Sequence, residues 1–162
     1  MQNFSRNRFS GGYEGDKEFT ETVVQINRIS KKTKGGNQMR FSALVVVGDR
    51  KGKVGVGLSK AADVRSAIKK AIAAAKRKLI VVPLRGTTIG YSVREKFSAA
   101  KVLLRPAPPG SGIIAGGPVR VVLEAAGIKD ASGKILGTKN KISNVYATLA
   151  ALETISKYVK SS

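Results

Sequence analysis

The sequence has no cysteine, no histidine and only ten carboxylates among its 162 residues. The missing thiols and imidazoles exclude disulfides, Cys/His metal sites and nucleophiles activated by histidine. No two of the carboxylates stand in a motif suited to acid–base catalysis, so the chain reads as a non-enzyme with no metal and no cofactor. No apolar run reaches the ~18 residues that would cross a bilayer, and the N-terminus lacks the apolar core of a signal peptide. The expectation is a soluble intracellular chain that does not enter a membrane.

What the chain does have is positive charge. Lys and Arg number 30, for a net charge of +20. Such an excess does not choose a fold, but it favours polyanion partners. Nucleic acid is the leading candidate and an anionic membrane surface the second. Residues 1–85 hold 19 basic and 6 acidic residues, and residues 86–162 hold 11 and 4. The first half is the expected main polyanion face, and the second lies near the polyanion as well.

The charge is densest from Asn27 to Arg40, which carries Arg28, Lys31, Lys32, Lys34 and Arg40 with no acid between them. Gly35 and Gly36 supply a turn and allow close backbone approach to a ligand. Cations here would neutralise phosphates and release counterions. The stretch reads as a basic loop held between two strands; the alternative is a charged hairpin tip that serves only solubility.

Around it, Glu21 to Ile29 alternates as a strand, and Phe41 to Val47 is apolar on both faces, as in a central strand. Gly48 to Gly52 is a turn. Lys53 to Leu58 alternates again, with Gly55 and Gly57 on one face, which admits either a packed helix or a nucleic-acid backbone. Asp63 to Leu79 has the clearest helical period: Val64, Ala67, Ile68, Ala71, Ile72, Ala75 and Leu79 on one face, and Arg65, Lys69, Lys70, Lys76 and Arg77 on the other. Residues 1–16 show no period and read either as an arm that orders on RNA or as a disordered terminus.

Pro83 to Gly86 marks a boundary. It divides the chain into a flexible basic tail (1–16), a first domain (17–83) and a second (84–162). Beyond it, Thr87 to Phe97 is a poorly patterned strand pair and Ala100 to Arg105 a better strand. A Gly/Pro loop, Pro106 to Pro118, precedes a short helix, Val119 to Ala126. A last helix is expected to be capped by Ser143 or Asn144 and to bury Ile142, Val145, Tyr146, Leu149, Leu152 and Val159. The class is α+β rather than a doubly wound sheet. The loop Pro109-Gly-Ser-Gly-Ile-Ile-Ala-Gly-Gly117 before a helix suggests an anion site, and hence a small-molecule kinase. However, no Gly-Lys-Ser/Thr follows, and Glu95, Glu124, Asp130 and Glu153 lack the spacing that phosphoryl transfer needs. A tight turn or a contact with RNA or protein are the other readings. Charge alone would also suit a general RNA chaperone.

Taken in order, the motifs resemble the family of bacterial-type small ribosomal subunit protein number five. The matching blocks are Asn27 to Gly36, Phe41 to Asp49, Lys53 to Gly57 with Lys60-Ala61, Lys101 to Pro106, Gly110 to Gly117, Leu123 to Ile128 and Leu136 to Asn140. The resemblance implies a first domain like a double-stranded-RNA-binding domain, with a three-stranded antiparallel sheet plus a helix. It implies a second, β-α sandwich domain related to some small-molecule kinases, which accounts for the Gly loop. It implies small-subunit ribosomal RNA as partner, neighbours in small-subunit proteins number four and number eight, a place near the mRNA entry channel of a cytoplasmic or organellar ribosome, and support of decoding accuracy. The RNA-contacting residues are expected to be Arg28, Lys31, Lys32, Lys34, Gly35, Gly36 and Arg40, followed by Arg50, Lys51, Lys53 and Lys60. Gly112 and Arg120 are expected at the interface with protein number four. Ser59, Arg65, Gly90 and Lys141 depart from the residues usual in the family.

Overall fold

The computed structural model describes residues 18–161; the expectation for the tail, residues 1–16, lies outside them. Three long strands come first: β1 (Thr20–Thr33), β2 (Gly36–Gly48) and β3 (Lys53–Ala61). They pair antiparallel in chain order. The expected three-stranded sheet gains a two-residue edge strand, β4 (Ile80–Val81), which pairs with Lys53 and Val54. Helix α1 (Val64–Arg77) lies on one face of this sheet. Asp63 caps it, its carboxylate accepting from the Ser66 N–H at 2.9 Å. That bond holds the Asp63 carboxyl below its ordinary range.

The two glycine-bearing positions of β3 are settled by α1. A methyl group at Gly57 would collide with the backbone of Ala71 and Ala75, and one at Gly55 with the Ala75 carbonyl. The object brought close to the strand is therefore the helix, not a nucleic-acid backbone. Small residues on both partners let the helix axis sit against the sheet, where Ala67, Ala71 and Ala75 are fully buried with Ala43, Val45 and Val47.

The rest of the chain builds a second layer. A small ladder, β5 (Leu84–Arg85) with β6 (Thr88–Ile89), is followed by β7 (Val93–Phe97) and β8 (Ala100–Pro106). The expected strand pair over Thr87–Phe97 is thus divided: β6 pairs back with β5, and β7 pairs with β8. Inside the Gly/Pro loop lies β9 (Ile113–Ile114), then α2 (Gly117–Ala126), β10 (Ala131–Leu136) and α3 (Lys141–Ser161). The sheet order is β7-β8-β10-β9, with β9 parallel to β10. Pro118 sits at the start of α2, and Gly127 ends it with φ 88°, the left-handed conformation that glycine adopts most readily.

Two details of α3 differ from expectation. Asn140, not Ser143 or Asn144, caps it: its side-chain oxygen accepts from the Ile142 N–H at 3.1 Å. Asn144 is instead buried, donating to the Thr138 carbonyl at 3.1 Å. Val159 is 41% exposed, and Ile155 is the fully buried residue of that stretch. From Lys157 to Ser161 the helix runs past its buried contacts, and every residue is exposed.

The face of the first sheet opposite α1 is not solvent. Leu44 and Val46 of β2 and Val54 and Val56 of β3 share one apolar core with Val122 and Leu123 of α2 and Leu152 and Ile155 of α3. The backbone reinforces this packing: Arg50 and Gly52 donate their N–H groups to the carbonyls of Ala125 and Ala126, at 3.1 and 2.9 Å. The first sheet is thus the middle layer, with α1 on one side and the second half of the chain on the other.

Candidate nucleic-acid interface

The basic stretch is not a loose loop. β1 and β2 continue through it as a two-stranded ladder, from Arg28↔Phe41 to Thr33↔Gly36. Only Lys34 and Gly35 lie outside the ladder. The Thr33 hydroxyl donates to the Gly36 carbonyl at 2.7 Å and closes the tip, and Gly36 has φ 130°. β3 ends at Ala61, opposite Phe41, so beyond that point the ladder has no third strand. The result is an arm reaching about 20 Å past the sheet, at ~3.3 Å per residue. Every residue from Ser30 to Arg40 is exposed.

Alternation sorts its cations. Lys31 and Arg40 point to one face, with Lys60 on the same face at the arm's base through the Ser42↔Lys60 pair. Arg28 and Lys32 point to the other, where Phe41 packs at the α1 side. Lys34 stands at the tip. No Asp or Glu occurs between Glu21 and Asp49, and none of these cations has an ion pair among the described residues. The arm is therefore charged on both faces and at its end, a shape suited to insertion between phosphate-bearing strands.

The expected RNA-contacting set divides in space. Arg28, Lys31, Lys32, Lys34, Gly35, Gly36, Arg40 and Lys60 belong to the arm and its base. Arg50, Lys51 and Lys53 lie at the opposite end of β2, about 40 Å from the tip at ~3.3 Å per residue. There the Asp49 carboxylate accepts from the N–H groups of Lys51 and Lys53 at 2.7 and 2.9 Å. It fixes a turn whose three cationic side chains stay exposed. On α1, Lys76 is engaged inside the protein, 3.3 Å from Glu21 and 5.9 Å from the Phe19 ring centre. What the residue pattern did not reveal was the arm's ladder. Lys, Ser, Thr and Asn look like loop residues, and the only strand signal was the apolar pair Ile29 and Met39.

The second glycine loop is occupied from within. Asp130 is buried, and its Oδ1 accepts from the N–H groups of Gly112 and Gly110 at 2.9 and 3.2 Å. The Thr87 hydroxyl, with those amides, holds its carboxyl below the ordinary value of 3.8. The amides that suggested a phosphate cradle already bind the protein's own anion. Nearby, Arg120 donates from Nη2 to the Ile113 carbonyl at 2.9 Å. That bond ties exposed Arg120 to the residue after half-buried Gly112.

A rigid sheet bearing a doubly charged arm, with its glycine loop closed by an internal carboxylate, defines a structural nucleic-acid-binding protein. Comparison with known proteins narrows the class. The profile of ribosomal protein S5, N-terminal domain, matches residues 19–83, and that of its C-terminal domain matches residues 95–161. Small ribosomal subunit protein uS5 of Chloroflexus aurantiacus is 56% identical over 135 residues, covering 83% of this chain and 76% of that protein. Small ribosomal subunit protein uS5c of Spinacia oleracea is 50% identical over 141 residues, covering 86% of this chain and 46% of that protein. The chain belongs to the ribosomal protein S5 family. It is a structural, non-enzymatic constituent of the small ribosomal subunit, a ribonucleoprotein of translation, and its partners are ribosomal RNA and other ribosomal proteins. Among the described residues no helix is long and apolar enough to cross a membrane.

Proposed function

We propose that the arm from Arg28 to Arg40 is the part of the chain that enters small-subunit ribosomal RNA, with Lys60 at its base and Arg50, Lys51 and Lys53 as a second contact at the far end of the sheet. The observation that carries this reading is the arm itself: five exposed cations and no acid, on a two-stranded ladder that projects past the sheet. Gly112 and Arg120 face small-subunit protein number four, and protein number eight is the second protein neighbour. The protein works near the mRNA entry channel and supports decoding accuracy. Those assignments rest on the family resemblance and on the bond that ties exposed Arg120 to Ile113, the residue after Gly112. The division into units at 17–83 and 84–162 belongs to the same proposal, and the limits of the two matched profiles support it.

The test is the salt dependence of binding to a small-subunit ribosomal RNA transcript. If six to ten phosphates are neutralised, affinity falls about 10³–10⁵-fold between 50 and 200 mM salt. Replacing Lys31, Lys32 and Lys34 together by Ala is expected to reduce the log–log slope by about 2–3, at roughly 0.7–0.9 per lost contact. An unchanged slope removes the arm from the interface.

A further inference from the structure

The sheet β7-β8-β10-β9 has two faces of opposite character. One carries Val93, Ala100, Val102, Leu104 and Ala131 into the shared core. Alternation places on the other face Arg94 and Lys96 of β7, Lys101 and Arg105 of β8, and Lys134 of β10. Four of these cations are exposed and Lys101 is half-buried. The buried residues of α2 and α3 belong to the core on the first side, so this second face lies open.

The register makes the face unusual. Lys96 stands directly opposite Lys101, and Arg94 and Lys134 flank Leu103 from its two neighbouring strands. With strands ~4.8 Å apart and same-face residues ~7 Å apart along each, five positive charges share a patch of about 10 by 14 Å. Like charges directly opposite each other in a sheet are destabilising. No carboxylate relieves them among the described residues. Glu95 projects to the opposite face and accepts from the Thr154 hydroxyl at 2.8 Å. Asp130 is held by the loop amides.

We propose that this open face is a second RNA-docking surface, laid against the sugar–phosphate backbone. The charge fits phosphate: between the cations lie only half-buried Leu103 and Leu136 and exposed Ser132, with exposed Ile114 of β9 at the edge. A plane of point charges offers no fork aimed at base edges, so it contributes affinity without sequence readout. RNA bound here would hold the second half of the chain as the arm holds the first.

The experiment uses the full chain and a small-subunit ribosomal RNA transcript. The triple change Lys101→Gln, Arg105→Gln and Lys134→Gln is expected to lower the salt slope by about 2–3. The loss should be the same whether or not Lys31, Lys32 and Lys34 are intact. Lys96→Gln alone, on an exposed side chain, should lower the slope by about 0.7–0.9 and leave the thermal midpoint unchanged or raised. A slope unchanged by both variants overturns the proposal. So does an unchanged slope together with lost incorporation into reconstituted subunits, which would make the face a protein interface. A slope that responds to the sheet variant but not to the arm variant supports this surface while removing the arm.

Discussion

Asp130 shows how much one side chain decides. It organises the glycine loop by accepting from two backbone amides and the Thr87 hydroxyl. Gly110 and Gly112 can present those amides because both adopt left-handed backbone, φ 89° and 71°. Since these bonds favour the ionised form, its folded pKa lies below the ordinary 3.8. The stabilisation is therefore complete above the unfolded value and is lost as pH falls through the lowered folded value. Asp130→Asn keeps the shape and removes the charge. It is expected to lower Tm at pH 7, and the gap to the parent should close as pH falls below the ordinary carboxylate value of 3.8 and through the lowered folded one. Thermal melts across that range check it, and a gap independent of pH excludes the carboxylate's charge as the cause. The sequence displayed the glycines but not their anion, because Asp130 lies 18 residues beyond Gly112 and carries no local mark of the contact.

At the level of elements, the contact between β3 and α1 is set by the absence of side chains. Gly57→Ala forces a methyl group into the backbone of α1. It should cost about 1–3 kcal/mol or more, the usual penalty of overpacking, read as a shift in the urea midpoint at constant m-value. A neutral result would mean that α1 can lift off the sheet. The strength of local patterning explains what was legible. β3 and α1 are legible because period 2 runs from Lys53 to Leu58 and period 3.6 through α1, and the body of β2 because Phe41 to Val47 is an unbroken apolar run with one Ser. β10 is not, since Ala-Ser-Gly-Lys-Ile-Leu is weak as a strand by itself; its state is imposed by the pairing of all six residues with β8. The two-residue strands β4, β5, β6 and β9 exist only through their partners. The arm has the composition of a loop for a related reason: composition reports on burial, and a solvated ladder has none. Its cations are nevertheless visible as a cluster in the sequence.

Across the whole molecule, the two halves are bound by a core that neither completes alone. Leu44, Val46, Val54 and Val56 would be exposed apolar surface without α2 and α3. The expected consequence is a single cooperative unfolding transition. Three of the four tyrosines, Tyr91, Tyr146 and Tyr158, lie in the second half, so tyrosine fluorescence reports on that half and far-UV circular dichroism on the whole. The two curves should coincide. Leu44→Ala, in the first half, should destabilise by about 2–5 kcal/mol and move the tyrosine transition by the same amount. Two separated transitions would show the halves to be independent. Rigid union also fixes the distance between the arm and the open face of the second sheet, so RNA meeting both is held at a set geometry.

The arm bears on the life of the chain before any RNA is present. Beyond Phe41 neither of its strands has an outer neighbour, so both edges expose unpaired backbone groups, the usual starting point for strand addition between copies. Lysine on such edges opposes that pairing. Lys31, Lys32 and Lys34 therefore make the free arm repel its own kind, and aggregation should be held back until a polyanion screens them. Substoichiometric RNA, enough to neutralise arms but not to separate the chains, is the condition under which the protein becomes most prone to associate.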